Sequence, residues 1–276
     1  MTFKKSPLIE LIAELRWGSP TVILPENTEE NSHINIQSDG PITISMSSED
    51  LFKSFSSKIV EDGYTNSERL IPNGLPLMPY QPVYRYRKNT QGNESSLFQI
   101  GSGVFTANIT PPYQSWTCFR PIVESGVSKL IESIAQQADA PKHFNFVSLR
   151  YLDAFGAEFT KGLSTIEFMK QKLGFEIQVP SIINDYSDES EHIKPQLQLR
   201  IKLKSDMWMN ITIGSGHING RPALLMDTTV SKNIDIKIDA LEAMGVFDKA
   251  HEIIHNTFME ITKPLEEIMK PIRSEQ

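Results

Sequence analysis

The amino-acid sequence predicts an α+β protein made of two tandem, related modules, at residues 1–140 and 141–276, packed as one compact unit. One observation is a string that occurs twice, as Ile100-Gly101-Ser102-Gly103 and as Ile213-Gly214-Ser215-Gly216, with alternating apolar residues on both sides. A second is that both halves show the order strand, helix, three or four antiparallel strands and long helix. The third is composition, because 276 residues with 39% hydrophobic content can bury a substantial core.

The first half is predicted to begin with a strand at 8–17, a polar loop at 25–39 with a minor strand at 33–37, and a strand at 42–46. A helix from Ser47 to Gly63 and a proline-rich loop at 71–82 are predicted next. A strand at 83–87, the first glycine hairpin and a long helix from Tyr113 to about Ala140 complete this half. The first helix has Leu51, Phe52, Phe55, Ile59 and Val60 at helical spacing. Glycine ends it, and acidic residues in its first turn face the positive end of the helix dipole.

The second half is predicted to contain, in order, a strand at 144–155, a short helix from Ser164 to Gly174, an acidic loop at 184–191, a strand at 197–204, the second glycine hairpin, a strand at 222–230 and a closing helical stretch at 238–272. Residues 197–204 alternate most clearly between apolar and polar positions. Gly245, Pro264 and Pro271 are expected to bend or divide the closing helices.

Both glycine strings are predicted to be tight hairpin turns, because glycine accepts the positive φ angles that such turns require. Neither Gly101-Ser102-Gly103 nor Gly214-Ser215-Gly216 has the spacing of a dinucleotide fingerprint or the lysine of a phosphate-binding loop. Each leads into a strand and not into the N-terminus of a helix. We therefore predict no cofactor.

The formal net charge is −7, from 27 Lys and Arg against 34 Asp and Glu. This balance repels nucleic acid and anionic membranes on average, so such a partner needs a local basic patch. A single cysteine, Cys118, excludes an intramolecular disulfide and is predicted to be a small buried filler. Glu10 and Glu14 interrupt the apolar N-terminal run, and no run approaches the ~20 residues of a membrane helix, so we expect a cytoplasmic protein with no membrane partner.

Two predicted strands carry candidate ligand-binding residues. They are Tyr84, Arg85, Tyr86 and Arg87 in the first half and Arg200, Lys202 and Lys204 in the second. Alternation places the tyrosines on one face of their strand and the arginines on the other. Cations and aromatic rings on a sheet suit nucleotides or single strands, and an ordinary solvated face is the competing interpretation.

The run His251-Glu252-Ile253-Ile254-His255 places two imidazoles on one face of a helix, where they could hold zinc beside Glu252 as a general base. A zinc hydrolase needs a third ligand, and only glutamates follow in the short tail. Packing histidines are the favoured interpretation, and no metal is predicted. Trp17, Trp116 and Trp208 show no spacing of an aromatic cage and are predicted to pack in the core or at sheet ends. Asp227 ends an apolar strand and could approach Arg221.

The element order is that of helix-grip and TATA-binding-protein-like folds, in which antiparallel strands curl around a long helix. Several short motifs of the chain also resemble those of one protein family. They are Pro7-Leu8-Ile9-Glu10, Glu14-Leu15-Arg16-Trp17, Tyr113 with Trp116, Leu149-Arg150-Tyr151-Leu152, and His251-Glu252 followed by Phe258, Ile261 and Thr262. They resemble a sporadically distributed, functionally uncharacterised group of bacterial proteins of similar length. That pattern leads us to expect asparagine where this chain has Asp153. The resemblance implies an accessory system, including mobile or defence-associated genes, and no established activity.

From these observations we expect a non-enzymatic binding or interaction protein whose partner is another protein. The first alternative is a binder of nucleic acid or a nucleotide through the basic strand faces. The second is a zinc-dependent hydrolase through His251 and His255. A homo-oligomer stays open at this stage.

Overall fold

Alternating apolar residues form the long strands of this protein, and a computed structural model shows an α+β fold of helices and mainly antiparallel strands. The structure describes residues 2–18, 21–23, 43–45, 49–88, 95–112, 115–137, 140–186, 193–233 and 235–272. The expected loop at 25–39, its minor strand at 33–37 and most of the acidic loop at 184–191 lie outside these residues. Among the described helices, none combines the length and apolar character needed to cross a membrane.

The strands, in chain order, are β1 (Thr2–Phe3), β2 (Leu8–Trp17), β3 (Thr21–Ile23), β4 (Thr43–Ser45), β5 (Asn66–Arg69), β6 (Pro82–Arg87), β7 (Ser96–Gly101), β8 (Val104–Ile109), β9 (His143–Phe155), β10 (Leu197–Lys202), β11 (Trp208–Ile218), β12 (Arg221–Lys232), β13 (Ile236–Lys237) and β14 (Pro271–Ile272). The helices are α1 (Glu49–Ile59), α2 (Trp116–Ile134), α3 (Ala157–Thr160), α4 (Thr165–Leu173), α5 (Ser181–Asn184), α6 (Ala240–Ile261) and α7 (Glu266–Met269).

The chain divides into two compact units. The central unit comprises Ile12–Ser148 and Lys232–Asp248, and the terminal unit comprises Met1–Leu11, Leu149–Ser231 and Lys249–Gln276. Contacts within the chain define these units, and such contacts carry no information on whether the two halves resemble each other. The expected tandem modules at 1–140 and 141–276 therefore stay a prediction.

In the central unit the strand order is β2-β8-β7-β6-β5, and β5 to β8 pair antiparallel. Phe55 of α1 is fully buried and makes edge contacts with the rings of Phe98 and Phe105 at 6.1 and 5.6 Å between centroids. Gly126 of α2 faces the same two rings so closely that a Cβ there would lie 2.7 Å from Phe98. The helical spacing of apolar residues in α1 and α2 therefore fills one core against β7 and β8.

The first glycine string forms the predicted hairpin turn, between the end of β7 and the start of β8. Gly103 has φ of 71°, which a residue with a side chain adopts at a cost. Gly101 has a different role, because a Cβ there would lie 1.9 Å from the carbonyl oxygen of Gln81. The string is thus explained by turn geometry and by the close approach of another backbone segment.

In the terminal unit the strand order is β10-β11-β12-β9, and β10, β11 and β12 pair antiparallel. Phe155 at the end of β9 packs on Phe159 of α3 and Phe168 of α4, with centroids 5.7 and 5.5 Å apart. Helix α4 begins as predicted, with a capping box between Ser164 and Glu167. Gly174 ends it in the left-handed conformation, at φ of 75°.

The second glycine string does not form the predicted hairpin turn. Strand β11 continues through Gly214-Ser215-Gly216 to Ile218, paired throughout with β12. The turn lies at Asn219-Gly220, where φ is 49° and 75°. Two successive positive φ angles define a turn that Asn-Gly adopts readily, and this dipeptide outcompetes the glycines before it. The same four-residue string thus adopts a turn once and a strand once.

Three smaller expectations were also wrong. Cys118 is exposed, because it lies on the outer side of α2 next to the fully buried Phe119. Val60 falls just after α1 and is 49% exposed. Gly245 does not divide the closing helix, since α6 runs from Ala240 to Ile261; the break comes at the 3₁₀ turn that contains Pro264.

Candidate ligand-binding face of strands β10 and β11

Strands β10 and β11 of the terminal unit have one apolar and one polar side. On β11, Met209, Ile211 and Ile213 are buried, so the residues that alternate with them face the other way. Register places Arg200 opposite Asn210 and Lys202 opposite Trp208. Opposite residues of an antiparallel pair carry their side chains on the same face. Arg200, Lys202, Trp208 and Asn210 therefore share one side, with Gln198 two residues before Arg200.

These five side chains form what we call the Trp208 face: Gln198, Arg200, Lys202, Trp208 and Asn210. The guanidinium carbon of Arg200 lies 4.5 Å from the centroid of the Trp208 ring, and the Lys202 ammonium nitrogen lies 5.5 Å from it. Both distances are within the range of cation–π attraction. Gln198, Arg200 and Lys202 are exposed, and Trp208 and Asn210 are half-buried. The face thus presents two cations gathered over one indole ring.

Two residues next to this face modify its charge. Asp206, in the turn before β11, pairs with Lys202 at 3.1 Å, and its side chain is 79% exposed. Lys204 lies in the same turn, beyond the end of β10, and is exposed. The sequence-based prediction had extended the strand to 204, whereas the chain turns after Lys202, with the Leu203 amide donating to the Met207 carbonyl.

Sequence reasoning missed Trp208, which it assigned to the core or a sheet end. The signal was available in the alternation along β11, because apolar residues at 209, 211 and 213 place position 208 on the opposite side. Register supplied the rest, since only the pairing of β10 with β11 places Lys202 beside the ring.

The first-half candidates lie on β6 of the central unit, with tyrosines and arginines on opposite sides. Tyr86 is 2% exposed and packs on Phe55, and burial raises the pKa of its phenol. The Tyr84 hydroxyl accepts a hydrogen bond from Arg69 at 2.7 Å and donates to Glu49. Both rings therefore belong to the packing of α1 on the sheet, and Tyr86 has no surface to offer a ligand.

The two arginines of β6 lie on the other side of that strand. Arg85 pairs with Glu68 of the neighbouring strand at 3.3 Å, and Arg87 is exposed. Among the residues that the structure describes, neither lies over an aromatic ring. In the central unit the structure therefore brings the cations and rings of β6 into separate environments.

The histidines of the closing helix form a ladder of rings with Tyr151 of β9. The Tyr151 hydroxyl and His251 Nδ1 are 2.6 Å apart, and the His251 and His255 ring centroids are 5.5 Å apart. Burial lowers the pKa of His255. Glu252 instead pairs with Lys249 on the exposed side of the helix. No group of three side chains that could hold a metal ion lies within the described part of the chain. The zinc-dependent hydrolase stays a hypothesis.

The terminal unit also holds a pair of carboxyl groups with different environments. Asp227 accepts hydrogen bonds from Arg150 at 2.9 and 3.0 Å, so its partner is Arg150 and not Arg221 as the sequence had suggested. Asp153 is 2% exposed. Burial, with a smaller contribution from the negative charge of Asp227, raises the pKa of Asp153 to about 8. This carboxyl therefore keeps its proton at neutral pH.

Comparison of the chain with protein-family models, with curated proteins and with solved structures found no match.

Proposed function

We propose that this chain is a non-enzymatic binding protein and that its Trp208 face holds an anionic partner. The observation that supports the proposal is the placement of Arg200 and Lys202 over the ring of Trp208 on the exposed side of an outer strand pair. A cation over an aromatic face is held close to the surface and keeps its charge available to an incoming anion.

The chemistry of the face favours binding over catalysis. Its groups are two cations, two amides and an aromatic ring, which recognise charge, hydrogen-bonding edges and flat surfaces. Arg200 can present two parallel N–H donors to a carboxylate or a phosphate, and Lys202 acts as a point charge two residues along the strand.

The negative net charge of the chain explains why an anionic partner needs the local pair of cations on the Trp208 face. A chain with net charge of −7 repels polyanions at long range, so an anionic partner must be held by a local group of cations. Exposed charges are screened beyond ~8 Å at physiological salt, and the face can therefore act although the whole chain is acidic. Binding of this kind weakens as salt rises.

The wider setting is part of the same proposal. The family resemblance supports a role in an accessory bacterial system, including defence-associated ones. The repeated glycine string and the element order of the two halves support tandem modules with a common origin, although the second string lies within a strand.

A heparin column tests the binding role, because heparin is a polyanion without aromatic rings. We expect retention at low salt and elution as salt rises. The variant Arg200→Glu with Lys202→Glu should elute at clearly lower salt. The matched control is Lys170→Glu with Lys263→Glu, which makes the same charge change at exposed positions outside β10 and β11. Equal elution of these two variants, or no retention of the unaltered protein, would contradict the proposal.

A further inference from the structure

We infer that the partner of the Trp208 face is a single-stranded nucleic acid. The inference rests on the proposed binding function and names the class of its ligand. Two properties of the face carry it: the ring of Trp208 is a stacking surface, and the cations over that ring are long, exposed side chains that can reach phosphates.

A ligand that stacks on Trp208 must take the place of the Arg200 and Lys202 side chains over the ring. An acidic peptide meets the charges of Arg200 and Lys202 through its carboxylates, but those carboxylates offer no flat surface to the indole. A nucleotide replaces what it removes, because its base stacks on Trp208 while its phosphate takes the guanidinium. Arg200 can also stack its own plane on a base. Each unit of a nucleic acid thus supplies both a phosphate for the cations and a flat ring for the indole.

A single strand fits this face better than a duplex. In a duplex the faces of the bases are covered by their neighbours, so an indole on a strand surface cannot reach them. In a single strand the bases are free to stack on the ring. Arg200 and Lys202 are two residues apart on β10, which separates them by ~7 Å along the strand. They can therefore contact different phosphates on either side of one stacked base.

The two amides of the face can form hydrogen bonds with a base. Asn210 lies directly opposite Arg200, and Gln198 lies two residues before Arg200 on the same side of β10. Both side chains offer a donor and an acceptor, which suits the exposed edge of a stacked base. An edge contact of this sort adds modest base preference to binding that stacking and charge provide.

Removing the negative charge of Asp206 should strengthen binding, whereas removing the charges of Arg200 and Lys202 should weaken it. Its carboxylate holds Lys202 at 3.1 Å and repels phosphate. Its φ of 56° is one that asparagine adopts readily. Asp206→Asn should therefore leave the turn intact, release Lys202 and tighten nucleic-acid binding several-fold. Weaker or unchanged binding in this variant would contradict the role given to Lys202.

The test uses the full chain and an oligothymidylate of roughly 15 nucleotides, near the upper site size of a single binding fold. A fluorescein-labelled form measures affinity by anisotropy, and an unlabelled form measures tryptophan quenching. We expect saturable binding, quenching of tryptophan fluorescence, and preference over a duplex of the same length. Trp17 and Trp116 are 5% and 8% exposed, so the quenching should come from Trp208. Trp208→Phe should remove most of the quenching, and Trp208→Ala should weaken binding at least ~5-fold. A thermal melt of each variant checks that it folds, and Trp208→Phe retains an aromatic ring for the face.

The outcomes separate the inference from the proposed function. Heparin retention that depends on Arg200 and Lys202, together with no quenching by the oligothymidylate, would overturn the nucleic-acid inference and leave an acidic protein partner. Equal affinity for duplex and single strand would overturn it as well. If the unaltered protein binds neither heparin nor oligothymidylate, the binding function itself is overturned.

Discussion

Replacing Asp153 with asparagine should stabilise the protein at neutral and alkaline pH. The carboxyl is buried in the terminal unit, and burial, together with the nearby negative charge of Asp227, raises its pKa from 3.8 to about 8. Between these two values the folded protein binds a proton that the unfolded chain has already lost. The free energy of unfolding therefore falls as pH rises through this window. Asparagine is close in shape, is neutral at every pH and removes this loss.

The structure sets the scale of the effect. Each pH unit between the two pKa values changes the free energy of unfolding by ~1.4 kcal/mol, so the difference between about 8 and 3.8 gives a ceiling of ~6 kcal/mol. Near neutral pH the ceiling is ~4 kcal/mol, because the window has then been crossed only in part. Local relaxation and the buried amide reduce the gain, and we expect about 1–3 kcal/mol, or about 2–5 °C in melting temperature.

Urea denaturation followed by far-UV circular dichroism at a series of pH values measures this difference. The stability of Asp153→Asn relative to the unaltered chain should increase steadily from acidic pH to about pH 8. The control is Asp185→Asn, which removes an exposed carboxylate of the same unit and should change stability only slightly. The reasoning fails if the Asp153→Asn difference is flat with pH, or if the unaltered protein gains relative stability as pH rises.

The remaining predictions concern the fold and use the repeated glycine string and a helix cap. Gly101→Ala should destabilise the protein by at least ~2 kcal/mol, because the new Cβ would lie 1.9 Å from the Gln81 carbonyl oxygen. Gly214→Ala should leave stability unchanged or raise it by up to about 1 kcal/mol, since nothing lies closer than 3.6 Å to its Cβ; a loss at Gly214 equal to that at Gly101 would contradict the role given to the close approach of Gln81. Ser164→Ala should lose about 1 kcal/mol by removing the capping box with Glu167, which thermal melting can detect, and an unchanged melting temperature would show that the cap adds nothing.

Local signals predicted much of the fold from the sequence. Strand β2 was predicted with the bounds that the structure shows, and β9 within one residue. The start of α4 at Ser164 and its end at Gly174 followed from capping chemistry. In each case the deciding interactions lie within a few residues of the element, so the order of residues carries the information.

The errors arose where distant neighbours decide the outcome. The second glycine string is an exception, because the stronger turn signal, Asn219-Gly220, lies only three residues beyond it and could have been read from the sequence. The exposure of Cys118 is set by which side of α2 faces the core. Trp208 depended on the register between β10 and β11. Asp153 differs again, since its raised pKa comes from burial among residues that no sequence pattern places together.

The salt dependence of oligothymidylate binding tests the central claim most directly. The logarithm of the binding constant should fall linearly with the logarithm of salt concentration, by ~0.7 for each phosphate contact to a single strand. Replacing Arg200 and Lys202 with glutamine should reduce the magnitude of that slope by ~1.4, because two contacts are lost. An unchanged slope in the double variant would show that the cations over Trp208 do not hold the partner.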